Sequence, residues 1–584
     1  MWSRLRPGRY ARQLLAATAL VTLLYGPASA QIEDTWLEQV DPWGVSYVGE
    51  DEPIFRTRMW RGADSEDLLT VVQSARTTGL TPAEHMLMRR LALSPARAPS
   101  GEESGALLAA RARIAFELGE ATAAAGQFSR LTEPSDGIDA AAMAADLNLA
   151  LGNEASACES LGAPDLEGDY WARLRAVCAA LAGNTSGAEL AMEMAQAQGV
   201  KDNWLAGAVY AASGVTPNPP KARFDTGIGF AMSTRANLEV TPDSVPEDRS
   251  DLAAAMARRK LIPPAVRVKA AGIAARAYLI TPEEYRTAYN SALSADGFTP
   301  TSALDKAIFV ASDGLTSAEE KSKALAAALK AAAGQADRYS AVASLLVADI
   351  ARLPLGPDTE ADAPLFARAA LAAGNTAEVI RWITPPEPEV VPVELPTEPT
   401  EEAPAELPLD VVAEAPAEDV PEEAPVEEPP PPEPVLPSFD QAWLGALAML
   451  AEDETDPEAV AASARMLIKV AESDAEKQTA ARVFALWAAA GVAPPSDARA
   501  YLASESDASP KSADIGPALA VLGAARSGTA AEVVVQTLGL TDGDPSKLDL
   551  ASLTILLGAL EAVGAEDAAR LLALESTGYW KAQK

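Results

Sequence analysis

Two cysteines are the residues of this chain whose type and spacing most directly suggest chemistry. Cys158 and Cys178 are the only cysteines among 584 residues, and they fall in neighbouring predicted helices. In an exported chain, an isolated pair favours a disulfide bond. Closing a loop of this length would contribute on the order of 3 kcal/mol through chain entropy. The alternative is two buried, reduced thiols. Redox chemistry lacks a Cys-x-x-Cys motif, and a metal site lacks partner ligands.

The single histidine is the next candidate. His85 lies in a helix predicted to begin at Thr81-Pro82-Ala83-Glu84, where a capping hydroxyl, Pro and Glu stand in order. One histidine cannot complete a multi-histidine metal site. As a catalytic base, it would need a nucleophile and an orienting acid that the sequence does not identify. We therefore predict a packing or surface role for His85, and no catalytic, cofactor-binding or metal-binding residue.

Glycoside cleavage needs only carboxyl groups, so it does not depend on histidine. Helical envelope enzymes of the lytic transglycosylase type combine a catalytic Glu-Ser with a following Gly-Leu-Met-Gln segment. Glu159-Ser160 and Glu505-Ser506 occur here without that companion. A peptidoglycan or other envelope glycan hydrolase is therefore kept as the alternative function.

The elements that must position these residues are helices in pairs. Glycines recur at Gly119, Gly152, Gly183 and Gly214, at intervals of 33, 31 and 31 residues. Such intervals are typical of two-helix repeats. Each glycine is expected to end a first helix by adopting a left-handed conformation. The pattern is interrupted after Gly214 by a proline-rich stretch.

Two further positions repeat with the first three glycines. Alanine stands five residues later and a larger apolar residue nine residues later: Ala124, Ala157 and Ala188, then Phe128, Leu161 and Met192. This arrangement resembles the tetratricopeptide repeat over roughly 100 residues, although Trp171 and Leu174 are one residue out of register. The layout also resembles alanine-rich exported proteins of Gram-negative bacteria. The resemblance implies an α-solenoid-like array whose concave surface binds peptides or proteins.

Composition agrees with an all-α chain. Alanine dominates the apolar residues and aromatic residues make up only 5%. Alanine has the highest helix propensity and allows close helix packing. The formal net charge of −36 argues against a nucleic-acid partner, because phosphate contacts need a basic surface. No cofactor is predicted.

The N-terminus is predicted to be a signal peptide, residues 1–30. Four arginines precede a short apolar stretch at residues 13–25, and Ala28-Ser29-Ala30 supplies a cleavage site. The apolar stretch is shorter than the roughly 20 residues that span a membrane. We therefore expect a periplasmic protein without a stable membrane span after cleavage; an uncleaved anchor is the alternative.

Three tryptophans follow the predicted cleavage site. Trp36, Trp43 and Trp60 are interpreted either as a cap over the open end of the array or as candidate partner-binding residues on a docking surface.

Residues 385–437 differ from the rest of the chain. These 53 residues contain 17 prolines and 16 acidic residues, and they lack Lys, Arg, Gly and aromatic residues. Such a composition predicts a disordered linker. It would act either as a spacer or as an arm that binds a partner.

The predicted organisation is therefore a repeat block at 31–214, a second helical region at 215–384, the linker, and a C-terminal helical block at 438–584. That last block either stands alone or completes the first array. The predicted function is a noncatalytic envelope scaffold or adaptor that binds protein partners. A mechanical spacer is a third possibility, and the sequence leaves the partner and the oligomeric state open.

Overall fold

The fold is all-α throughout the part of the chain that the computed structural model describes. That part comprises residues 41–131, 139–163, 166–295, 297–384, 436–452, 455–504 and 515–581. It contains 27 α-helices, and no β-strand occurs within these ranges. The predicted signal peptide, Trp36 and all but the last two residues of the predicted linker lie outside the described residues. No helix within these ranges is long and apolar enough to cross a membrane.

The first nine helices include the glycine-phased pairs. They are α1 (Ser65–Gln73), α2 (Pro82–Leu93), α3 (Ser104–Glu117), α4 (Ala121–Phe128), α5 (Ala140–Leu151), α6 (Glu154–Glu159), α7 (Asp169–Leu181), α8 (Thr185–Ala197) and α9 (Asn203–Ala212). The pairs α3–α4, α5–α6 and α7–α8 turn at three of the predicted glycines. All four predicted glycines have positive φ: 82° at Gly119, 83° at Gly152, 76° at Gly183 and 72° at Gly214.

Packing inside these pairs follows the predicted offsets. Ala124, Ala157 and Ala188 are buried where the second helix of each pair meets the first, because a methyl group allows close approach. Phe128 and Met192 are also buried. Leu161, the third large apolar residue of the pattern, is only half-buried, so five of these six periodic positions lie in the interior.

Ten helices follow before the proline-rich segment. They are α10 (Gly227–Arg235), α11 (Ser250–Arg258), α12 (Pro264–Arg276), α13 (Pro282–Leu293), α14 (Ala303–Ser312), α15 (Ala318–Ala332), α16 (Ala336–Ile350), α17 (Pro357–Glu360), α18 (Ala363–Ala372) and α19 (Thr376–Ile383). The stretch after Gly214, where the repeat pattern stops, is not only a crossing segment. Its helix α10 packs against α5, α7 and α9.

The apolar interior is divided into two clusters. The second cluster extends from α5 to α12 and includes Trp171, Phe224 and Phe230. It therefore continues across the boundary that the sequence placed at residue 214. The first cluster holds the remaining helices together and extends from Trp43 to Trp580.

The last eight helices complete the first cluster. They are α20 (Phe439–Ala451), α21 (Pro457–Val470), α22 (Asp474–Ala489), α23 (Ser496–Ser504), α24 (Gly516–Ser527), α25 (Ala530–Thr541), α26 (Leu550–Ala562) and α27 (Glu566–Glu575). Helix α20 packs on α18 and α19, which precede the proline-rich segment. The C-terminal helices therefore share the first cluster with helices that precede the proline-rich segment.

The chain also closes on itself. Helix α27 packs on α2, and α25 packs on both α1 and α2. Two fully buried carboxyl groups meet at this closure. Glu84 accepts hydrogen bonds from its own helix cap at the Thr81 amide (2.9 Å), from the Thr541 hydroxyl at the end of α25, and from the Gly543 amide just after that helix (3.1 Å). Glu575 of α27 accepts from the Ala83 amide at 2.8 Å.

Candidate functional site: the cleft of the first helical pairs

A cleft of about 510 Å³ opens where the first helices of successive pairs face α10. We call it the repeat cleft. Its apolar lining comes from four elements: Phe116 of α3, Phe128 of α4, Met143 of α5 and Ile228 of α10. Phe128 is the large apolar residue that the repeat pattern places nine positions after Gly119. The cleft has the size and largely apolar character of a ligand-binding site.

Two aspartates hold the walls of the cleft together. Asp139 caps α5 by accepting from the Ala142 amide, and it also accepts from the Trp171 indole of α7, both at 2.9 Å. Asp146 accepts from the amides of Gly227 (2.8 Å) and Ile228 (3.1 Å) at the start of α10. Their oxygens are therefore engaged in fixing helices.

Gly227 is needed for this contact. A Cβ atom at position 227 would lie 1.8 Å from the Asp146 carbonyl oxygen, so a larger residue would separate α10 from α5. Burial raises the pKa of the Asp146 carboxyl group, and the two amide hydrogen bonds oppose that shift. The Asp146 carboxyl group thus holds the start of α10 against α5, and a bound partner would not easily displace these hydrogen bonds.

Hydrogen-bonding groups at the mouth of the cleft are less fully engaged. The buried Tyr170 hydroxyl has no hydrogen-bond partner within the described ranges, and burial raises its pKa, so it stays protonated. Arg173 approaches Asp202 only at 3.6 Å, and Arg113 approaches Glu117 at 3.3 Å. The cleft therefore offers hydrogen-bond donors beside an apolar surface.

Arg249 is the exception among the cleft arginines. Its guanidinium group binds both carboxylate oxygens of Asp251 at 2.8 Å and lies 4.8 Å from the centre of the Phe116 ring. This bidentate ion pair fixes one wall, and the cation–π contact orients Phe116.

Two members of the predicted tryptophan docking surface, Trp43 and Trp60, are buried in the structure. Trp43 is 4% exposed and Trp60 is 1% exposed, and their rings pack edge to face at 5.8 Å. Both tryptophans belong to the first apolar cluster, and the Arg111 guanidinium lies 5.8 Å from the centre of the Trp43 ring. Trp36 lies outside the described residues.

The cysteine pair is placed for a disulfide bond. The sulfur atoms of Cys158 and Cys178 are 2.00 Å apart, and their Cα atoms are 5.7 Å apart. The pair joins α6 to α7, away from the repeat cleft.

His85 is buried rather than exposed. It is 7% exposed, its ring centre lies 4.6 Å from that of Tyr278, and burial lowers its pKa to about 4. Its imidazole is therefore neutral at physiological pH. The sequence did not identify Tyr278 as its neighbour, because 193 positions separate the two residues.

Most residues of the repeat cleft were also missed by sequence reasoning. Phe116 and Met143 have the spacing of ordinary core residues. One sequence signal was present, because Trp171 stands one residue out of the repeat register. In the structure its indole donates a hydrogen bond to Asp139, and the neighbouring Tyr170 lines the cleft.

A comparison with protein-family models found no match. Comparisons with curated proteins and with solved structures also found none.

Proposed function

We propose that this protein is a noncatalytic scaffold or adaptor that binds a polypeptide segment of a partner in the repeat cleft. The carrying observation is the combination of an apolar lining with hydrogen-bond donors at Tyr170, Arg113 and Arg173. An extended peptide matches both features. Its carbonyl groups accept hydrogen bonds from the donors, and because its side chains alternate in direction, one of them can enter the apolar lining.

The size of the cleft supports an anchor of one or two residues. About 510 Å³ accommodates a large aliphatic or aromatic side chain together with the adjoining backbone. Binding energy in such sites is concentrated in a few apolar anchors. The sequence resemblance to tetratricopeptide repeats supports the same use of a concave helical surface, and the N-terminal pattern supports action in the periplasm.

Selection from a random peptide library displayed on phage tests this proposal. Enriched peptides should share a large apolar residue, and Phe116→Ala should weaken their binding about tenfold, equivalent to about 1.4 kcal/mol, by calorimetry. Tyr170→Phe should weaken binding by removing only the hydroxyl group.

The matched control is Phe309→Ala, which removes a half-exposed phenylalanine outside the cleft. It should leave peptide affinity unchanged. The proposal fails if no peptide is enriched, or if Phe116→Ala folds normally and binds every enriched peptide as the unchanged protein does.

A further inference from the structure

A second cavity adjoins the repeat cleft. It has a volume of about 470 Å³ and shares Glu117 of α3 with the cleft. We call it the acidic cavity, because four carboxylates line it: Glu117, Glu247, Asp248 and Asp337. Two cations, Lys269 and Arg276, also line it.

The cations of the acidic cavity are already paired. Lys269 lies 3.1 Å from Glu247, and Arg276 lies 2.8 Å from Asp337. Asp248 forms no hydrogen bond or ion pair with any described residue, although the charge of Arg249 acts on it. Glu117 is paired with Arg113 at 3.3 Å, so Asp248 is the lining carboxylate left without an ion pair within the described residues, and a cationic ligand would neutralise its charge.

Two buried groups supply an independent indication of a ligand. His85 and Tyr278 both line the acidic cavity. The His85 Nε2 atom and the Tyr278 hydroxyl lack hydrogen-bond partners across the described residues. Buried polar atoms are normally paired. A neutral imidazole and a phenol can both accept a hydrogen bond from a cationic group, and the tyrosine ring can interact with its charge.

The opposite side of this aromatic pair has different electrostatics. His85 and Tyr278 also line a third cavity, of about 670 Å³, into which Arg89 and Arg90 project. Glu52, Glu120 and Asp567 also line the third cavity, and each is paired with one of those guanidinium groups. Of the two cavities beside the aromatic pair, the acidic cavity is therefore the one whose described lining offers a cation an unpaired carboxylate, that of Asp248.

The geometry favours an organic cation over a metal ion. Among the described residues, no three His, Cys, Asp or Glu side chains converge as metal ligands. An ammonium or guanidinium group instead uses acceptors that are spread around a cavity.

We propose that the acidic cavity binds a cationic side chain, lysine or arginine, of the same partner segment whose apolar residue occupies the repeat cleft. This inference rests on the proposed function. Because the two cavities share Glu117, the cationic residue lies only a few positions from the apolar anchor along an extended segment.

The chain has one histidine, so the Hε1 proton of His85 gives a single, directly assignable NMR signal in the intact protein. Titration with Nα-acetyl-lysine amide at constant ionic strength should shift that signal saturably. The uncharged analogue Nα-acetyl-norleucine amide should not. Asp248→Asn should weaken the lysine response at least fivefold, whereas Asp243→Asn, in the same loop but outside the cavity, should not.

Peptides from the library selection separate this inference from the proposed function. If norleucine in place of lysine leaves their affinity unchanged, the acidic cavity is not the cation site, although the cleft proposal survives. If no peptide binds but Nα-acetyl-lysine amide still shifts His85, the cavity survives and the cleft proposal fails. No saturable shift with the lysine probe, or an unchanged response in Asp248→Asn, overturns the inference.

Discussion

Burying the carboxyl group of Glu575 carries an electrostatic cost when the C-terminal helices pack on α2. It is fully buried beside the equally buried Glu84, and its Oε2 atom has no hydrogen-bond partner within the described part of the chain. Burial is the main cause that raises its pKa to about 8, and the charge of Glu84 adds to the effect. The folded protein therefore holds Glu575 protonated at neutral pH.

The stability of the closure should consequently depend on pH. An unfolded glutamate titrates near 4.5, so folding favours the protonated form between that value and about 8. The contribution of Glu575 is complete below pH 4.5 and is lost as the pH rises toward 8, at about 1.4 kcal/mol per unit of pKa difference. Glu575→Gln imitates the protonated form and should flatten this dependence in denaturant unfolding between pH 5 and 9.

Glu566→Gln, an exposed change at the start of the same helix, is the control and should retain the dependence. Identical pH profiles for the unchanged protein and Glu575→Gln would contradict the assignment of the proton to Glu575.

At the scale of the element, two helix-ending glycines that look equivalent in sequence should respond differently to substitution. Gly119 and Gly183 both have positive φ, which alone disfavours alanine by roughly 1–2 kcal/mol. A Cβ atom at Gly119 would also lie 2.5 Å from the Leu279 side chain, whereas nothing lies within 4 Å at Gly183. Gly119→Ala should therefore lower the free energy of unfolding more than Gly183→Ala. Equal losses of unfolding free energy for the two variants in denaturant titrations would contradict this prediction, because they would show that the Leu279 side chain moves away from position 119 at no cost.

The cysteine pair acts on the element scale as well. Joining α6 to α7 restricts the unfolded chain across 20 residues, so reduction should lower stability by about 3 kcal/mol. The measurement is unfolding with and without a reductant. The Cys158→Ser/Cys178→Ser double variant should behave like the reduced protein and should not respond to reductant; a reductant-insensitive unchanged protein would exclude the bond.

At the scale of the whole molecule, the helices on both sides of the proline-rich segment share one core. Helix α20 packs on α18 and α19, and α27 packs on α2. We therefore expect residues 31–400 and 420–584, expressed together as separate chains in one compartment, to co-purify as a one-to-one complex. Replacing buried Leu447 of α20 by aspartate should abolish that association, since it puts a charge in the shared core. Fragments that elute separately without the substitution would contradict a shared core.

Local signals were sufficient to predict the helices but not their closure. The glycine positions and the Thr81 cap depend on neighbouring residues, and the structure confirms both. The contact between Ala83 and Glu575 joins residues 492 positions apart. Nothing in the local pattern of either residue indicates it, because Glu575 reads as an ordinary helix-end acid. The acidic cavity was missed for the same reason, since α3, the loop before α11 and α16 bring its carboxylates together from distant parts of the chain.

The packing of α25 and α27 on α2 also has a consequence for how the chain folds while it is being synthesised. The backbone on both sides of buried Trp60 is bonded to residues more than 450 positions later: the Ala531 amide donates to the Met59 carbonyl at 3.3 Å, and the Thr529 hydroxyl donates to the Arg61 carbonyl at 2.7 Å. A chain that emerges from its N-terminus first therefore leaves this apolar surface uncovered until the last helices arrive, and such surface is prone to aggregation. The N-terminal helices would need protection, by a chaperone or by delayed collapse, for nearly the whole time of translation.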